Sequence, residues 1–164
     1  MKTGRQGAAA KAGHNLVISV TSWEGTLDVG EDADQSSLEL DADARSLRVQ
    51  EGHGGAQALA DDDKADIQQT IDDEVLKGDA IEFRSTSVEP SDDGGRLRVG
   101  GDLKMAGNSH PVEFDLSVSP KGKIEGGPTI KQTDWGIKPY SALFGALKVT
   151  DEVEIVIEAS LPSD

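Results

Sequence analysis

The stretch RLRVGGDLKMAGNSHPVEFDLSV, residues 96–118, decides the fold class. Apolar and polar residues alternate on both sides of Ala106-Gly107-Asn108-Ser109, a sequence typical of a tight turn. Alternation at period two gives a strand one apolar and one polar face. The stretch therefore predicts a long antiparallel hairpin. Its apolar face comprises Leu97, Val99, Leu103 and Met105 on one strand and Val112, Phe114, Leu116 and Val118 on the other.

Strands of the same kind are predicted on both sides of this hairpin. They begin at residues 14, 26, 37, 46, 80 and 151, with a hairpin-like turn at Glu24-Gly25. Gly100-Gly101 in mid-strand predicts a bulge or a barrel corner, and Gly126-Gly127-Pro128 either bends a strand or separates two short ones. About eight or nine strands approach the number that closes an antiparallel barrel. The predicted class is therefore all-β, an antiparallel β-barrel.

One short helix is predicted between residues 61 and 78. Asp61, Asp62 and Asp63 favour a helix N-terminus, because carboxylates there cap free N–H groups and interact well with the helix dipole. The apolar residues then recur every four positions, and Lys77-Gly78 ends the pattern. The apolar face, Ile67, Ile71 and Val75, is expected to pack on the sheet.

Composition limits the number of domains and the classes of ligand. With 164 residues, of which 35% are hydrophobic and 19 are glycine, the chain fits one domain of turn-rich strands. Its formal charge of −15, from 31 acidic and 16 basic residues, repels nucleic-acid phosphates and anionic lipid surfaces. We therefore expect no nucleic-acid partner and no stable membrane insertion.

The first residues predict neither a signal nor a strand. Residues 1–12 lack apolar periodicity and are expected to form a flexible tail, so that a single barrel domain spans residues 13–162. This start lacks the apolar run of a secretory signal, and no stretch has the length and apolarity of a membrane span. A cytoplasmic location is the expectation.

Motifs for catalysis and metal binding are absent from the sequence. There is no nucleophile elbow, phosphate-binding glycine loop or His-Glu-x-x-His pair, and there is no cysteine. Asp28, Asp32, Asp34 and Glu39 resemble part of a calcium loop, but Ala33 stands where the sharp turn needs glycine, which favours an acidic hairpin. We expect no catalytic residue, no metal and no cofactor.

Several segments in order resemble one protein family. Residues 100–118, 131–137 and 149–161 resemble the second half of the YceI-like family, whose strands carry the patterns G-x-L-x-x-x-G-x-x-x-P-V and x-S-D-F-G-I. IEFRSTSV at residues 81–88 and GHNLVISV at residues 13–20 resemble earlier strands of that family. Each motif is common by itself, and their order and spacing carry the resemblance.

The resemblance covers roughly residues 14–161 and has consequences for fold and ligand. It implies a lipocalin-like barrel whose lengthwise cavity holds a long isoprenoid chain. It brings no catalytic residues. The expected partner is therefore an apolar small molecule of isoprenoid or fatty-acyl type.

Two groups of residues are candidates for contact with such a ligand. The first lies in DWGIKPYSALFGALKV, residues 134–149, and contains three of the six aromatic residues of the chain. Aromatic rings suit the wall or mouth of an apolar pocket, and they equally suit a plug that seals a barrel end. The second group faces into the barrel, where it either lines a cavity or fills the core. The candidates are Trp135, Tyr140 and Phe144 in the first group and Ile18, Phe83, Val99, Leu103, Phe114 and Ile155 in the second.

Two classes of function remain open at this point. The first is a non-catalytic binding module that carries an isoprenoid or another lipid-like chain. The second is a filled barrel that acts through its surface, as a homodimer or by docking a partner. Val17, Val29 and Val156 lie opposite the predicted core rows, so an apolar patch built from them would favour the second class.

Overall fold

The structure is a computed structural model that describes residues 1–32 and 35–161. Ala33 and Asp34 of the predicted acidic hairpin, and Pro162 at the predicted domain end, lie outside these ranges. The elements are β1 (Lys2–Gln6), β2 (Asn15–Val20), β3 (Trp23–Asp28), β4 (Ser37–Ala42), β5 (Leu47–His53), α1 (Asp61–Thr70), β6 (Ile81–Pro90), β7 (Arg96–Met105), β8 (Asn108–Val118), β9 (Lys123–Gly126), β10 (Thr129–Lys131), β11 (Ser141–Ala142), β12 (Leu147–Glu154) and β13 (Ile157–Ser160).

The strands form two antiparallel sheets that share bent strands at two corners. One sheet has the order β10-β12-β1-β2-β5, with β11 beside β12, and the other has the order β13-β9-β8-β7-β6-β4-β3. At one corner β2 continues into β3 beside β4 and β5, and at the other β9 continues into β10 beside β12 and β13. When each bent strand is counted once, the described residues form a closed ring of eight: β1, β2/β3, β4/β5, β6, β7, β8, β9/β10 and β12/β13. The predicted lipocalin-like β-barrel of about eight strands is confirmed.

Glycines make the second corner. Gly126 and Gly127 have φ of 154° and 147°, a region that other residues rarely adopt. A Cβ on Gly127 would collide with the carbonyl of Ile155, because the two bent strands cross closely there. The amide of Ile155 donates to the carbonyl of Pro128 at 2.9 Å and joins the strands at the crossing. The Gly-Gly-Pro sequence thus separates β9 from β10 and lets the sheet turn.

The hairpin predicted from residues 96–118 is β7 and β8, joined by the two-residue turn Ala106-Gly107. The mid-strand glycines mark a bulge whose extra residue lies on the neighbouring strand: Ser85 pairs with Gly101 and Ser87 with Gly100, which leaves Thr86 unpaired. The bulge reverses the facing of β6 beyond it, so that Val88 rather than Ser87 is fully buried.

The predicted helix is present as α1, followed by one wider π-type turn at Ile71–Val75. The Asp63 carboxylate accepts a hydrogen bond from the amide of Ala60 at 3.0 Å and so caps the N-terminus. Lys77 and Gly78, with φ of 55° and 71°, end the helical segment. Ile67 and the apolar residues after it pack against the core, as the period of four predicts. No described helix combines the length and the apolarity that crossing a membrane requires.

Two local expectations differ from the structure. Within the expected tail of residues 1–12, Lys2–Gln6 is β1, which closes the ring between β12 and β2. Its sequence KTGRQ has no apolar alternation, and backbone pairing with β12 and β2 holds the strand in the sheet. The turn expected at Glu24-Gly25 is wrong: both residues lie inside β3, and a Cβ on Gly25 would come within 2.6 Å of Leu40 Cδ2. This glycine makes room for a side chain.

Part of the barrel is tightly packed. Six buried residues lie toward the end where Ser91–Gly95 connects β6 to β7, and Val88 and Val99 among them have no exposed surface. They belong to one cluster with the rest of the core. The residues of this packed half come from five strands, β4, β6, β7, β8 and β9. Its residues are Leu38, Val88, Leu97, Val99, Leu116 and Ile124.

Candidate functional site

A cavity of about 1080 Å³ occupies the remainder of the barrel. It extends between the two sheets and under the helical segment, and none of the six residues of the packed half contributes to its wall. The barrel is therefore filled at one end and hollow at the other. The apolar lining includes Leu16, Val17, Ile18, Val20, Leu40, Leu47, Ile67, Ile71, Val75, Leu76, Ile81, Phe83, Leu103, Met105, Val112, Phe114, Ile130, Ile137, Leu147, Val149, Val153, Ile155, Val156 and Ile157.

Six of the nine residues predicted to contact a ligand line this cavity. Phe83 and Phe114 stand side by side in its wall, with ring centroids 5.4 Å apart and a tilt of 59° between the rings. Tyr140 lines the cavity and is 52% exposed, so the cavity wall meets solvent at this residue. The other residues of this set are Ile18, Leu103 and Ile155.

The remaining three predicted residues lie away from the cavity. Val99 belongs to the packed half, as described above. Trp135 is 2% exposed, and its Nε1–H donates to the carbonyl of Leu103 at 2.8 Å, so the ring fastens the turn before Gly136 onto β7. Phe144 projects fully into solvent. Alternation at period two cannot distinguish residues that line the cavity from residues that do not. It shows which face of a strand a residue lies on, but not whether a cavity lies in front of that face.

Sequence reasoning missed part of the lining at places where the strands are irregular. Val17 and Val156 were expected on the outer face, yet both are half-buried and line the cavity. A register shift between β2 and β5 at Val17 and Ile18 lets consecutive residues of β2 reach the inside. Val156 lies in the bend between β12 and β13. Of the three valines of the expected outer patch, Val29 alone is exposed, at 54%.

The helical segment supplies a second part of the lining that strand patterning does not find. Ile67, Ile71 and Val75 are half-buried and face the cavity. Their period of four was visible in the sequence, and it predicted packing on the sheet. The segment instead covers the hollow half, where the same apolar face becomes one wall of a space.

Polar groups gather at one rim of the cavity and are engaged with the backbone. The Arg5 guanidinium donates to the carbonyls of Gly13 and of His53, the latter at 3.3 Å. His14 Nε2 lies 2.8 Å from the carbonyl oxygen of Gln57, and Gln132 donates to the carbonyl of Thr150 at 2.9 Å. These contacts give a polar border to an apolar interior, the arrangement of a site for a molecule with one polar end.

Ionisable groups with shifted pKa values do not converge in the cavity. Hydrogen bonds from Ser91 and from Thr133 lower the pKa of Asp93 and of Asp151 respectively, and both carboxylates are on the surface. Burial lowers the pKa of the Met1 amino group, which donates to the carbonyl of Ile18 at 2.8 Å. Among residues 1–32 and 35–161 no three potential metal ligands cluster. The site thus offers shape and apolar surface.

Comparison with protein families identifies the chain. The model of the YceI-like domain matches residues 5–161. The chain belongs to the YceI-like family. Comparison of this YceI-like protein with curated proteins finds no match.

Solved structures share the fold of this YceI-like protein at low sequence identity. The Campylobacter jejuni YceI protein is 15% identical, with 91% of this chain and 86% of that chain covered and a TM-score of 0.60. A mutant of the CJ YceI protein, solved with a monobromobimane guest, is 14% identical over the same shares, with a TM-score of 0.65. Burkholderia cenocepacia BcnA is 15% identical, covers 95% of both chains and has a TM-score of 0.60.

Proposed function

We propose that this YceI-like protein is a non-catalytic carrier of an apolar chain of isoprenoid or fatty-acyl type, held in the hollow half of the barrel. The observation that carries the proposal is the cavity of about 1080 Å³ with its wall of aliphatic side chains. Cavities of roughly this size enclose most of the surface of a small ligand. The isoprenoid class comes from the family resemblance and is part of the proposal.

Burial of the chain supplies the binding free energy. Each CH₂ group removed from water contributes about 0.8 kcal/mol, so ten groups contribute about 8 kcal/mol. Before the cost of ordering the ligand is subtracted, that free energy corresponds to a Kd of about 1 μM. Affinity should therefore rise with chain length until the cavity is full, and the polar rim near Arg5 would receive the polar end.

A polar end of the cargo would meet cationic residues of the cavity wall. Arg5, His14 and Lys148 line the cavity, whereas Lys138 is exposed and does not. The alternative of a filled barrel acting through its surface has less support, because two of the three valines expected in its outer patch line the cavity.

The test begins with native mass spectrometry of the purified protein, followed by organic extraction of any compound that it carries. We expect a stoichiometric apolar compound, or uptake of added farnesol or oleic acid by empty protein. An empty protein that takes up neither probe would contradict the carrier function.

A matched pair of variants locates the binding. Val112 is half-buried and lines the cavity, whereas Val29 is exposed outside it. Val112→Trp places a large ring in the cavity and should weaken oleic acid binding at least about ten-fold, since it removes space for several CH₂ groups. Val29→Trp should bind as the natural protein does. Equal binding by both variants, each with an unchanged thermal transition, would place the ligand elsewhere.

A further inference from the structure

Charge is distributed very unevenly in this acidic protein. Residues 1–23 and 135–150 contain five of the sixteen Lys and Arg residues and none of the thirty-one Asp and Glu residues. The rest of the chain therefore carries all of the negative charge. The five cations are Lys2, Arg5, Lys11, Lys138 and Lys148.

The fold brings these two segments together at the hollow end. β1 pairs with β12 so that Gln6 lies opposite Lys148, and β11 adds Ser141 on the other side of Lys148. The amide of Ala9 donates to the carbonyl of Ala146 at 2.8 Å. Lys11, Lys138 and Lys148 are exposed and take part in none of the ion pairs of the described residues. The result is a local basic patch where these two acid-free segments meet, with three cations free to act on a partner.

The same end presents apolar side chains to solvent. Leu143 is 57% exposed and Phe144 fully exposed, next to the half-exposed Tyr140. Leu143 and Phe144 have φ of 52° and 54°, in the left-handed region that non-glycine residues seldom adopt and that two successive apolar residues adopt still less often. This backbone holds both side chains outward instead of letting them fold onto the barrel.

This apolar tip adjoins the cavity. Tyr140 and Leu147, which flank Leu143 and Phe144 in sequence, line the cavity, as do Gly13 and His14 from the other segment. The carbonyl of Tyr140 accepts from the amide of Val149 at 2.9 Å and ties the base of the loop to β12. A surface that covered the tip would therefore lie against an opening of the cavity.

We propose that the tip formed by Tyr140, Leu143 and Phe144, with the lysines around it, docks on an anionic lipid bilayer. Exposed apolar groups that enter the interfacial region, together with adjacent cations that attract anionic head groups, are the two contributions that bind proteins to such surfaces. The acidic remainder of the protein is repelled by the same surface, which orients the molecule with its basic patch toward the bilayer. An apolar chain could then pass between bilayer and cavity without crossing water.

A protein partner or a second copy of the chain fits this end less well. The outer surface elsewhere is acidic and would attract a basic patch without any apolar insertion, yet the most exposed side chain at this end is the apolar Phe144. The combination of outward apolar residues with free lysines matches an interface that is apolar inside and anionic outside.

Vesicle flotation tests the docking, with phosphatidylcholine vesicles compared against vesicles that contain one-third phosphatidylglycerol. We expect binding to the anionic vesicles, weakened by added salt. Lys138→Gln and Lys148→Gln should each weaken it about five-fold, since each removes one cation near the surface. Lys121→Gln removes an exposed cation at the opposite, packed end and should leave binding unchanged.

The apolar contribution is tested by Phe144→Asn, because asparagine accepts the left-handed backbone and the variant should fold at least as well as the natural protein. We expect about ten-fold weaker vesicle binding. The control is Val29→Asn, which removes an exposed apolar side chain elsewhere. Binding that depends on the lysines alone, or a soluble dimer that Phe144→Asn dissociates in the absence of vesicle binding, would overturn the proposal.

This inference stands apart from the proposed cargo. Flotation reports docking whether or not the cavity is loaded, and oleic acid binding to free protein reports the cavity whether or not the protein docks. Loss of one of these properties without the other would therefore identify which proposal had failed.

Discussion

Gly101→Ala is the substitution that most directly tests how β6 and β7 pack above the cavity. A Cβ at Gly101 would lie 2.6 Å from Cζ of Phe83 and 2.7 Å from Cα of Ser85, and it would also press on the carbonyl oxygen of Arg84. Two of these three atoms belong to the backbone, so rotation of a side chain cannot relieve the overlap. Phe83 would have to move and give up its tilted contact with Phe114.

Overpacking of this kind costs about 1–3 kcal/mol, and the backbone overlap places Gly101→Ala at the upper end, about 3 kcal/mol. For a chain of this size that loss lowers Tm by roughly 6–12 °C. The assay is thermal and urea unfolding beside Gly95→Ala, where a Cβ would make only ordinary contact with the Asp93 carboxyl group, whose Oδ1 is nearest at 3.4 Å. The reasoning is refuted if both variants unfold at the temperature of the natural protein.

Two further predictions concern single hydrogen bonds. Trp135→Phe leaves the buried carbonyl of Leu103 without the indole donor at 2.8 Å, and we expect a loss of about 1–3 kcal/mol in urea unfolding; Trp23→Phe, at a 44% exposed site, should cost far less. Thr133→Val removes the hydroxyl that donates to Asp151 at 2.7 Å, so the pKa of Asp151, which this bond lowers, should rise toward its ordinary value in an NMR titration. A carboxyl group whose pKa is lowered by folding stabilises the folded state above its unfolded-state pKa, and this stabilisation is lost as pH falls through the folded-state pKa. On acidification through the carboxylate range, the natural protein should therefore lose more stability than Thr133→Val. Ser91→Ala, which affects Asp93 instead, should leave the pKa of Asp151 unchanged.

The regular parts of the fold were predictable from the sequence because their side chains obey one period. Residues 96–118 predicted the longest hairpin and its inward face, since alternation there continues through both strands up to a recognisable turn. The apolar repeat at Ile67 likewise identified the helical segment. In both cases local pattern and tertiary packing impose the same requirement.

The predictions were wrong or incomplete where tertiary contacts decide the local structure. Gly25 resembles a turn residue, yet it lies in β3 because Leu40 of the neighbouring strand occupies the space beside it. β1 has no apolar alternation, and backbone pairing with β12 and β2 holds it in place. No local rule contains either contact.

The sequence predicted which residues point into the barrel, but it did not predict which of them line a cavity and which are packed against other side chains. Phe83 and Val99 both point inward, but Val99 meets other side chains and Phe83 meets a space. Bulges and bends also bring Val17 and Val156 inside, against the period-two expectation. Whether an inward residue fills or lines a barrel depends on the curvature of all the strands together, which single-strand patterning does not report.

The division of the barrel into a packed half and a hollow half means that substitutions in the two halves change different properties: stability in one and the shape of the cavity in the other. Substitutions at Val88 or Leu116 act on the free energy of unfolding, because these side chains are enclosed by neighbours on every side. Substitutions at residues such as Val112 or Ile155 change the shape of the cavity. Adding or removing a methyl group there alters fewer packing contacts than it does in the packed half. A lineage can therefore alter the shape of the cavity in one half while the other half keeps the chain folded. Libraries aimed at new ligands should leave the packed half constant and vary the wall of the cavity.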